Sequence, residues 1–305
     1  MTTGINHYHL PANLNEALAL LAQHNGAARV IGGGTDYFVD DARESGADRP
    51  KALVDVTRMA GWQDVRGEGE FIVIGCGATH SQIVASPLVR VGGTALMESC
   101  GLIGGPQVRN VGTLMGNIAH ALPAADGTLA LLALGGEIAV AAAEYRGGGT
   151  AASPGLVWMP LALAFRGPGK SAIDSARQII VAARFVPTGA NEGSAFARIM
   201  RPQGVALPIA GLACRVKLNG DSIESAAIAA GPVAPTPFRA VQTEAFLAGK
   251  PATLETVEAA AAVLLNESKL RTSPHRATAE YRREVLPVLL REAMLNAIAR
   301  ARAVS

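Results

Sequence analysis

Two stretches of this chain combine bare backbone with small polar side chains, the residue types that hold an anion or a nucleotide rather than attack a bond. The longer runs from Gly101 to Gly136, GLIGGPQVRNVGTLMGNIAHALPAADGTLALLALGG. Gly101, Gly104, Gly105, Gly112 and Gly116 punctuate it, and Thr113, Asn117, His120, Asp126 and Thr128 are the donors and acceptors between them. A loop without Cβ atoms lets peptide N–H groups come close to a ligand, and successive N–H groups in a turn form a concavity suited to phosphate. The shorter stretch is Gly32-Gly33-Gly34-Thr35-Asp36, where a hydroxyl and a carboxylate beside the glycines can orient the N–H groups around a phosphate. Seen alone, consecutive glycines also make a plain tight turn.

Other chemistries are poorly supplied. Gly75-Cys76-Gly77-Ala78-Thr79-His80 follows an apolar run as a Rossmann fingerprint would, but His80 stands at the third glycine position and the reading fails. Gly169-Lys170-Ser171 tempts a phosphate-loop assignment, yet Ala164 occupies the place of the required first glycine and Pro168 removes an N–H. His80 and His120 have no carboxylate or cysteine at ligand spacing and read as satisfied loop histidines. The three cysteines, Cys76, Cys100 and Cys214, are far apart and read as buried small hydrophobes. No Ser-His-Asp arrangement, metal-ligand set or cysteine pair stands out, so neither a catalytic residue nor a metal site is expected.

The elements that must position the glycine stretches follow from periodicity. Asn13 with Glu16 resembles a capping box for a helix with Leu14, Ala17, Leu18 and Leu21 on one face, ending near Gly26. Ala28 to Ile31 reads as a strand running into the glycines, and strands are expected at Ala52 to Val56, Phe71 to Ile74, Glu137 to Ala143 and Ile179 to Val186. Ser81 to Val84 opens a helix; Thr128 to Leu134 reads as a buried helix capped by Asp126 or Thr128 and stopped by Gly135 and Gly136. Arg146 to Thr150 reads as a glycine-rich turn. After a loop of turn formers from Pro187 to Gly193, Val205 to Leu218 and Ile223 to Ala230 make a hairpin through Asn219-Gly220-Asp221. Helices follow at Val241 to Leu247, Thr253 to Leu265 and Tyr281 to Ala299, the last kinked or interrupted by Pro287. That order, β, β, α, α, α, suggests a small sheet covered by helices on one side.

GPQVRNVGTLMGNIAHALPAADGTLALLALG resembles the second FAD motif of the flavoprotein (medium) subunit of molybdenum hydroxylases, the xanthine dehydrogenase and carbon monoxide dehydrogenase family, whose pattern runs roughly G-x-x-Q-I-R-N-x-G-T-I-G-G-N-I-x-x-A-S-P-A-x-D. Met115 replaces the first glycine of the Gly-Gly pair and Leu122 the serine before Pro123. VIGGGTDYF resembles the family's A-G-G-T-D-L, with Gly32 for alanine and Tyr37 for leucine; SAFARIMRPQGVALPIAGLACRVKL and HRATAEYRREVLPVLLREAM carry the likeness to the far end. Arg198 stands for the family's usual lysine, and Arg201-Pro202 for its Arg-Arg.

The resemblance implies an α+β fold: a two-part FAD-binding domain of the PCMH type over residues 1-187, with a small α/β subdomain at about 1-57 and an α+β subdomain at 58-187, then a small antiparallel sheet covered by helices over 188-305. By resemblance, non-covalent FAD lies against Val30, Ile31, Gly32, Gly33, Gly34, Thr35, Asp36 and Tyr37, then Ile103, Thr113, Leu114, Met115, Gly116, Asn117 and Asp126. Val181 packs against its ring and Arg198 lies near the flavin's polar edge. Thr113 and Asn117 would donate to the pyrophosphate or the flavin carbonyls, and Asp126 would accept from a ribose or ribityl hydroxyl.

The implied role is electron transfer from 2Fe-2S clusters through FAD to an external acceptor. A 2Fe-2S small subunit and a molybdopterin-binding large subunit would be partners, as a dimer of heterotrimers; the molybdenum cofactor and clusters would sit in those chains alone. A self-sufficient FAD-dependent oxidase on the same fold is the alternative, since Thr35 stands where such relatives often carry a covalent histidine. A scaffold that has lost FAD is a third reading, drawn from Met115 and Pro202. Net charge of +2, with acidic and basic residues mixed, gives no nucleic-acid footprint. With 305 residues, 49% of them apolar, and neither a leader nor an apolar run of ~20 residues, the chain is expected to be cytoplasmic, with no membrane span.

Overall fold

The computed structural model describes residues 4–41, 49–142, 155–201, 207–274 and 276–304, the side chains of 40 and 41 excepted. The expected turn at Arg146 to Thr150, the end of the strand at Ala143 and the departure at Pro202 lie outside these residues.

The chain begins with β1 (His7–His9), α1 (Leu14–His24), β2 (Ala28–Ile31), α2 (Tyr37–Asp41) and β3 (Ala52–Asp55), and the strands form a parallel sheet in the order β1-β3-β2. The side chain of Asn13 accepts the N–H of Glu16 at 3.0 Å, while the Glu16 carboxylate receives Ala12 N–H instead of Asn13 N–H, so only half of the capping box forms. Ala17, Leu18 and Leu21 are buried, as their spacing requires, and Asn25 ends the helix in the left-handed region at φ 43°. Parallel pairing needs crossovers, and the crossover after β2 opens with the glycine stretch and α2.

The next part opens with the hairpin β4 (Val65–Glu68) and β5 (Phe71–Gly75). A run of short helices follows: α3 (His80–Ala85), α4 (Pro87–Gly92), α5 (Thr94–Gly101), α6 (Pro106–Arg109), α7 (Leu114–Ala119) and α8 (Asp126–Ala133). Proline and glycine between them keep each brief. Then come β6 (Glu137–Ala142), β7 (Gly155–Pro160), the small hairpin β8 (Phe165–Gly167) and β9 (Lys170–Ser171), and β10 (Gln178–Phe185). The large sheet is antiparallel, in the order β4-β5-β10-β6-β7, with a register shift at Val181. All of α8 is buried, but it begins after Ala125 with no side-chain cap; neither Asp126 nor Thr128 caps it. Asp126 is already inside the helix, and its carboxylate is engaged elsewhere.

The last part holds β11 (Glu192–Met200), β12 (Pro208–Asn219), β13 (Ser222–Gly231) and β14 (Phe238–Arg239) in one antiparallel sheet, then α9 (Val241–Leu247), α10 (Leu254–Glu267) and α11 (Ala279–Ala303). Gly220, at φ 57°, turns the β12–β13 hairpin, where Asn219 faces Ser222. The sheet therefore has two strands beyond the expected pair. Nor is it covered on one side only. Ala195, Ala197, Leu212, Cys214, Ile228 and Ala230 face the core beneath α9–α11, while Phe196, Ala213 and Ala229 join the core of the preceding parts. Strand alternation sends neighbouring side chains to opposite faces, and both faces here are buried.

Pro287 lies inside α11 without interrupting it. An internal proline costs a helix ~3 kcal/mol, and a buried face that includes Leu286, Leu289, Leu290, Ala293 and Met294 offsets it. Packing against the sheet is close: a Cβ on Gly193 would stand 2.2 Å from the Ala297 carbonyl oxygen. No helix among the described residues is long and apolar enough to cross a membrane.

Candidate functional site

The two glycine stretches meet. A Cβ on Gly33 would stand 1.9 Å from the carbonyl oxygen of Val111 and 2.8 Å from the nitrogen of Gly112, and one on Gly32 would stand 2.7 Å from Thr113 Oγ1. Backbone therefore lies directly on backbone, which a side chain at Gly33 would prevent. Gly34 adopts φ +70°, a conformation that side chains disfavour. Thr35 Oγ1 lies 3.5 Å from the Cβ position of Gly112. The second ribbon is held from behind: His80 N–H donates to the Gly112 carbonyl at 2.9 Å, and Thr79 bridges Thr113. Among the described residues, the N–H groups of Gly33, Gly34 and Thr35 donate to no protein acceptor. The result is a Cβ-free wall with unused donors.

From that wall the chain turns into α7. Thr113 accepts Gly116 N–H at 3.1 Å as its N-cap, leaving the hydroxyl proton to donate. Asn117 sits one turn on; its Oδ1 accepts both Thr128 N–H at 3.1 Å and Thr128 Oγ1–H at 3.0 Å, tying α7 to α8. Leu114 and Met115 are buried in the core, so the methionine at the family's first glycine position carries its side chain inward.

Asp126 and Arg198 come together across the parts. Arg198 Nη1 donates to Asp126 Oδ2, and its Nη2 donates to the Leu102 carbonyl at 2.5 Å. The Leu102 contact draws the Ile103 loop to the same place, and Arg109 Nη1 holds that loop through the carbonyls of Ile103, at 3.1 Å, and Gly104, at 2.7 Å. Asp126 Oδ1 and Arg198 Nε remain buried with no partner. Burial pushes the Asp126 carboxyl up to about 6, against the pull of Arg198. Asp126, expected to accept from a sugar hydroxyl, thus gives one oxygen to Arg198 and keeps the other.

The remaining predicted positions lie on β2, just after its glycines and on the large sheet. Val30 donates its N–H to Ser175 at 2.9 Å, Ile31 is buried, and Asp36 is exposed. Tyr37 meets Phe38 edge-on with centroids 5.3 Å apart, and the Arg29 guanidinium lies 5.9 Å from the Tyr37 centroid. Val181 is fully buried in the large sheet, its carbonyl accepting Cys76 N–H at 2.9 Å. All three cysteines are buried, as their spacing suggested.

His80 corrects an expectation. It is not a satisfied loop histidine: it begins α3, is buried, and its Nδ1 has no partner. Burial, with the nearby Arg109 charge, pushes its imidazole down to about 4. Val111 and Arg109 are the contributors missed in the sequence. Val111 acts only through its backbone and leaves no signal in residue type, whereas the arginine beside the glycines could have been found as a cation able to gather carbonyls.

Comparison with known proteins places this geometry. The family model described as the FAD binding domain in molybdopterin dehydrogenase matches residues 3–187, and that of the CO dehydrogenase flavoprotein C-terminal domain matches 194–297. The chain is 28% identical over 299 residues to a putative xanthine dehydrogenase FAD-binding subunit of Escherichia coli strain K12, covering 96% of each chain. It is 29% identical over 254 residues to the carbon monoxide dehydrogenase medium chain of Hydrogenophaga pseudoflava, covering 83% of this chain and 84% of that one. A solved structure of the Hydrogenophaga pseudoflava carbon monoxide dehydrogenase superposes with a TM-score of 0.87 at 28% identity, covering 97% of this chain and 98% of that one.

Proposed function

The chain belongs to the family of FAD-binding domains of molybdopterin dehydrogenases, and from that premise we propose that it is the FAD-binding, electron-transferring subunit of a multi-subunit molybdenum hydroxylase or dehydrogenase. The observation that carries the reading is the contact between Gly33 and the Val111–Gly112 backbone. It makes a wall on which a pyrophosphate can lie against free N–H groups.

The residues present fit FAD. The N–H groups of Gly33, Gly34 and Thr35 would hold the pyrophosphate, with the hydroxyls of Thr35 and Thr113 beside them. The Asn117 carbonyl oxygen is occupied by Thr128, so its amide Nδ2 would donate to the ligand. The unpartnered Asp126 Oδ1 and Arg198 Nε supply one acceptor and one donor at the far end. When bound, the flavin supplies the redox chemistry, exchanging electrons singly with iron–sulfur centres and in pairs with a two-electron acceptor. The protein's own part is to position and to exclude; no acid or base is required of it.

Molybdenum and iron–sulfur cofactors belong on this reading to partner subunits, a 2Fe-2S chain and a molybdopterin-binding chain, assembled as a dimer of heterotrimers. We place the assembly in the cytoplasm, where three buried unpaired thiols are suited to a reducing environment. The test is spectroscopic. The purified chain is expected to be yellow, to release FAD on denaturation, to accept electrons from an iron–sulfur partner and to turn over no organic substrate alone. Turnover by the lone chain would instead identify a self-sufficient oxidase, and a colourless chain that takes up no FAD would end the proposal.

A further inference from the structure

Between the second and third parts of the fold lies a cavity of about 630 Å³ whose lining takes Leu122 and Pro123 from the far half of the longer glycine stretch but no residue of Gly32–Asp36 or Val111–Asn117, and which Arg271, Arg276 and Arg282 also line. Among the described residues none of the three forms a salt bridge. Arg282 is 1% exposed. It is anchored by carbonyls rather than by a carboxylate, Nε donating to Ile209 at 3.1 Å and Nη1 to Arg271 at 2.5 Å. Buried cations are ordinarily paired, because desolvating an unpaired charge costs several kcal/mol. The strain of this arrangement appears in the groups themselves. Arg276 is held below the usual guanidinium range by burial and by Arg271, and Arg282 by burial and by both neighbours.

The opposite walls are apolar. Leu122, Pro123, Pro168 and Pro232 supply them. Their positions are fixed: the Pro123 carbonyl oxygen lies 2.0 Å from where a Cβ on Gly231 would stand, and Gly169 N–H donates to Ala121 at 3.0 Å. Ala121 itself adopts φ 54°, which a non-glycine residue takes only under constraint. The nearest carboxylate to act on Arg276 is Asp126, already engaged with Arg198. We propose that this cavity is a binding site for a phosphate-bearing small molecule carrying two negative charges, separate from the dinucleotide tail assigned to the glycine ribbons. Three cations without an acid among them over-match one carboxylate and suit a phosphate monoester or a diphosphate, which guanidinium forks bind bidentately. The apolar walls leave room for a ring attached to that group, and the volume falls within the range of about 300–1,000 Å³ usual for small-molecule sites.

The test is calorimetric titration of the full, FAD-loaded chain with inorganic pyrophosphate, comparing the parent with Arg271→Gln, Arg276→Gln and the double variant. Saturable binding is expected, weakened at least tenfold in each single variant and lost in the double, with FAD retained throughout. Absence of saturable binding overturns the proposal, as does unchanged affinity in the variants. Equal affinity for sulfate would reduce the site to unspecific anion attraction and overturn it as well. Release of FAD by pyrophosphate, or failure of Arg276→Gln to retain FAD, would show the cavity to be part of the flavin site and sink the claim of a second one.

Discussion

Asp126 on α8 and Arg198 on β11 form an ion pair whose side chains are only 3% and 4% exposed, so the second and third parts of the molecule are joined by charge as well as by packing. Removing one member of a buried pair typically costs ~3–5 kcal/mol, chiefly because the other is left desolvated and alone. Arg198→Met should therefore lower the denaturant midpoint substantially, and Asp126→Asn combined with it should restore part of the loss. Equilibrium unfolding of the two single variants and the double measures the coupling; strictly additive losses would refute it.

The pH dependence has two opposed contributions. Asp126 is raised from 3.8 to about 6 by burial, so its stabilising contribution is complete below pH 3.8 and is lost as pH rises through 6. His80 is lowered from 6.5 to about 4, so its contribution is complete above pH 6.5 and is lost as pH falls through 4. Between those limits Asp126→Asn should make stability rise more steeply with pH than in the parent, and His80→Gln should flatten that rise. Denaturant midpoints taken across this range for the three proteins check the signs.

Gly33→Ala should separate the ribbons, because the added carbon would meet the Val111 carbonyl oxygen at 1.9 Å. Overpacking of this kind costs ~1–3 kcal/mol, and FAD affinity should fall by more than stability does. Asp36→Asn is the companion variant, since Asp36 is exposed and its loss leaves packing untouched. Flavin fluorescence titration beside thermal melting separates the two effects, and a Gly33→Ala protein with parental flavin affinity would contradict the assignment.

Asn117→Ala leaves both the N–H and the hydroxyl of Thr128 without their acceptor. An unsatisfied buried donor costs ~1–3 kcal/mol. The variant should melt earlier and bind FAD more weakly, whereas Asn117→Asp, which keeps the acceptor, should recover the melting temperature better than the affinity. Thermal shift with and without added FAD reads both.

Much of this was legible beforehand because the signals were local. Asn13 marked the start of α1, Gly220 the β12–β13 turn, and the glycines themselves the two stretches that pack backbone on backbone. The strands β1, β4, β7, β11 and β14 carried no such mark: His7–His9 and Val65–Glu68 are short and polar, and their strand state is set by the neighbour they pair with. β11 was hidden because both of its faces are buried, which blurs the alternation that would reveal a half-exposed strand. The helix α11 runs through Pro287 for a related reason, since local propensity is outweighed by packing on a sheet built from distant sequence. The partnership of Asp126 with Arg198 is likewise a tertiary fact. Spacing along the chain shows that an acid and a base exist, but not that each will occupy the other.

The seam between Gly33 and Val111 means that neither ribbon is a binding module in its own right. On the proposed assignment, a nucleotide clasped there would bridge the small parallel sheet to the body of the molecule and act as a removable fastener. Affinity for the cofactor and adhesion of the first sheet are then one thermodynamic quantity read from two sides: each factor of ten in free ligand above its dissociation constant tightens the docking of that sheet by about 1.4 kcal/mol.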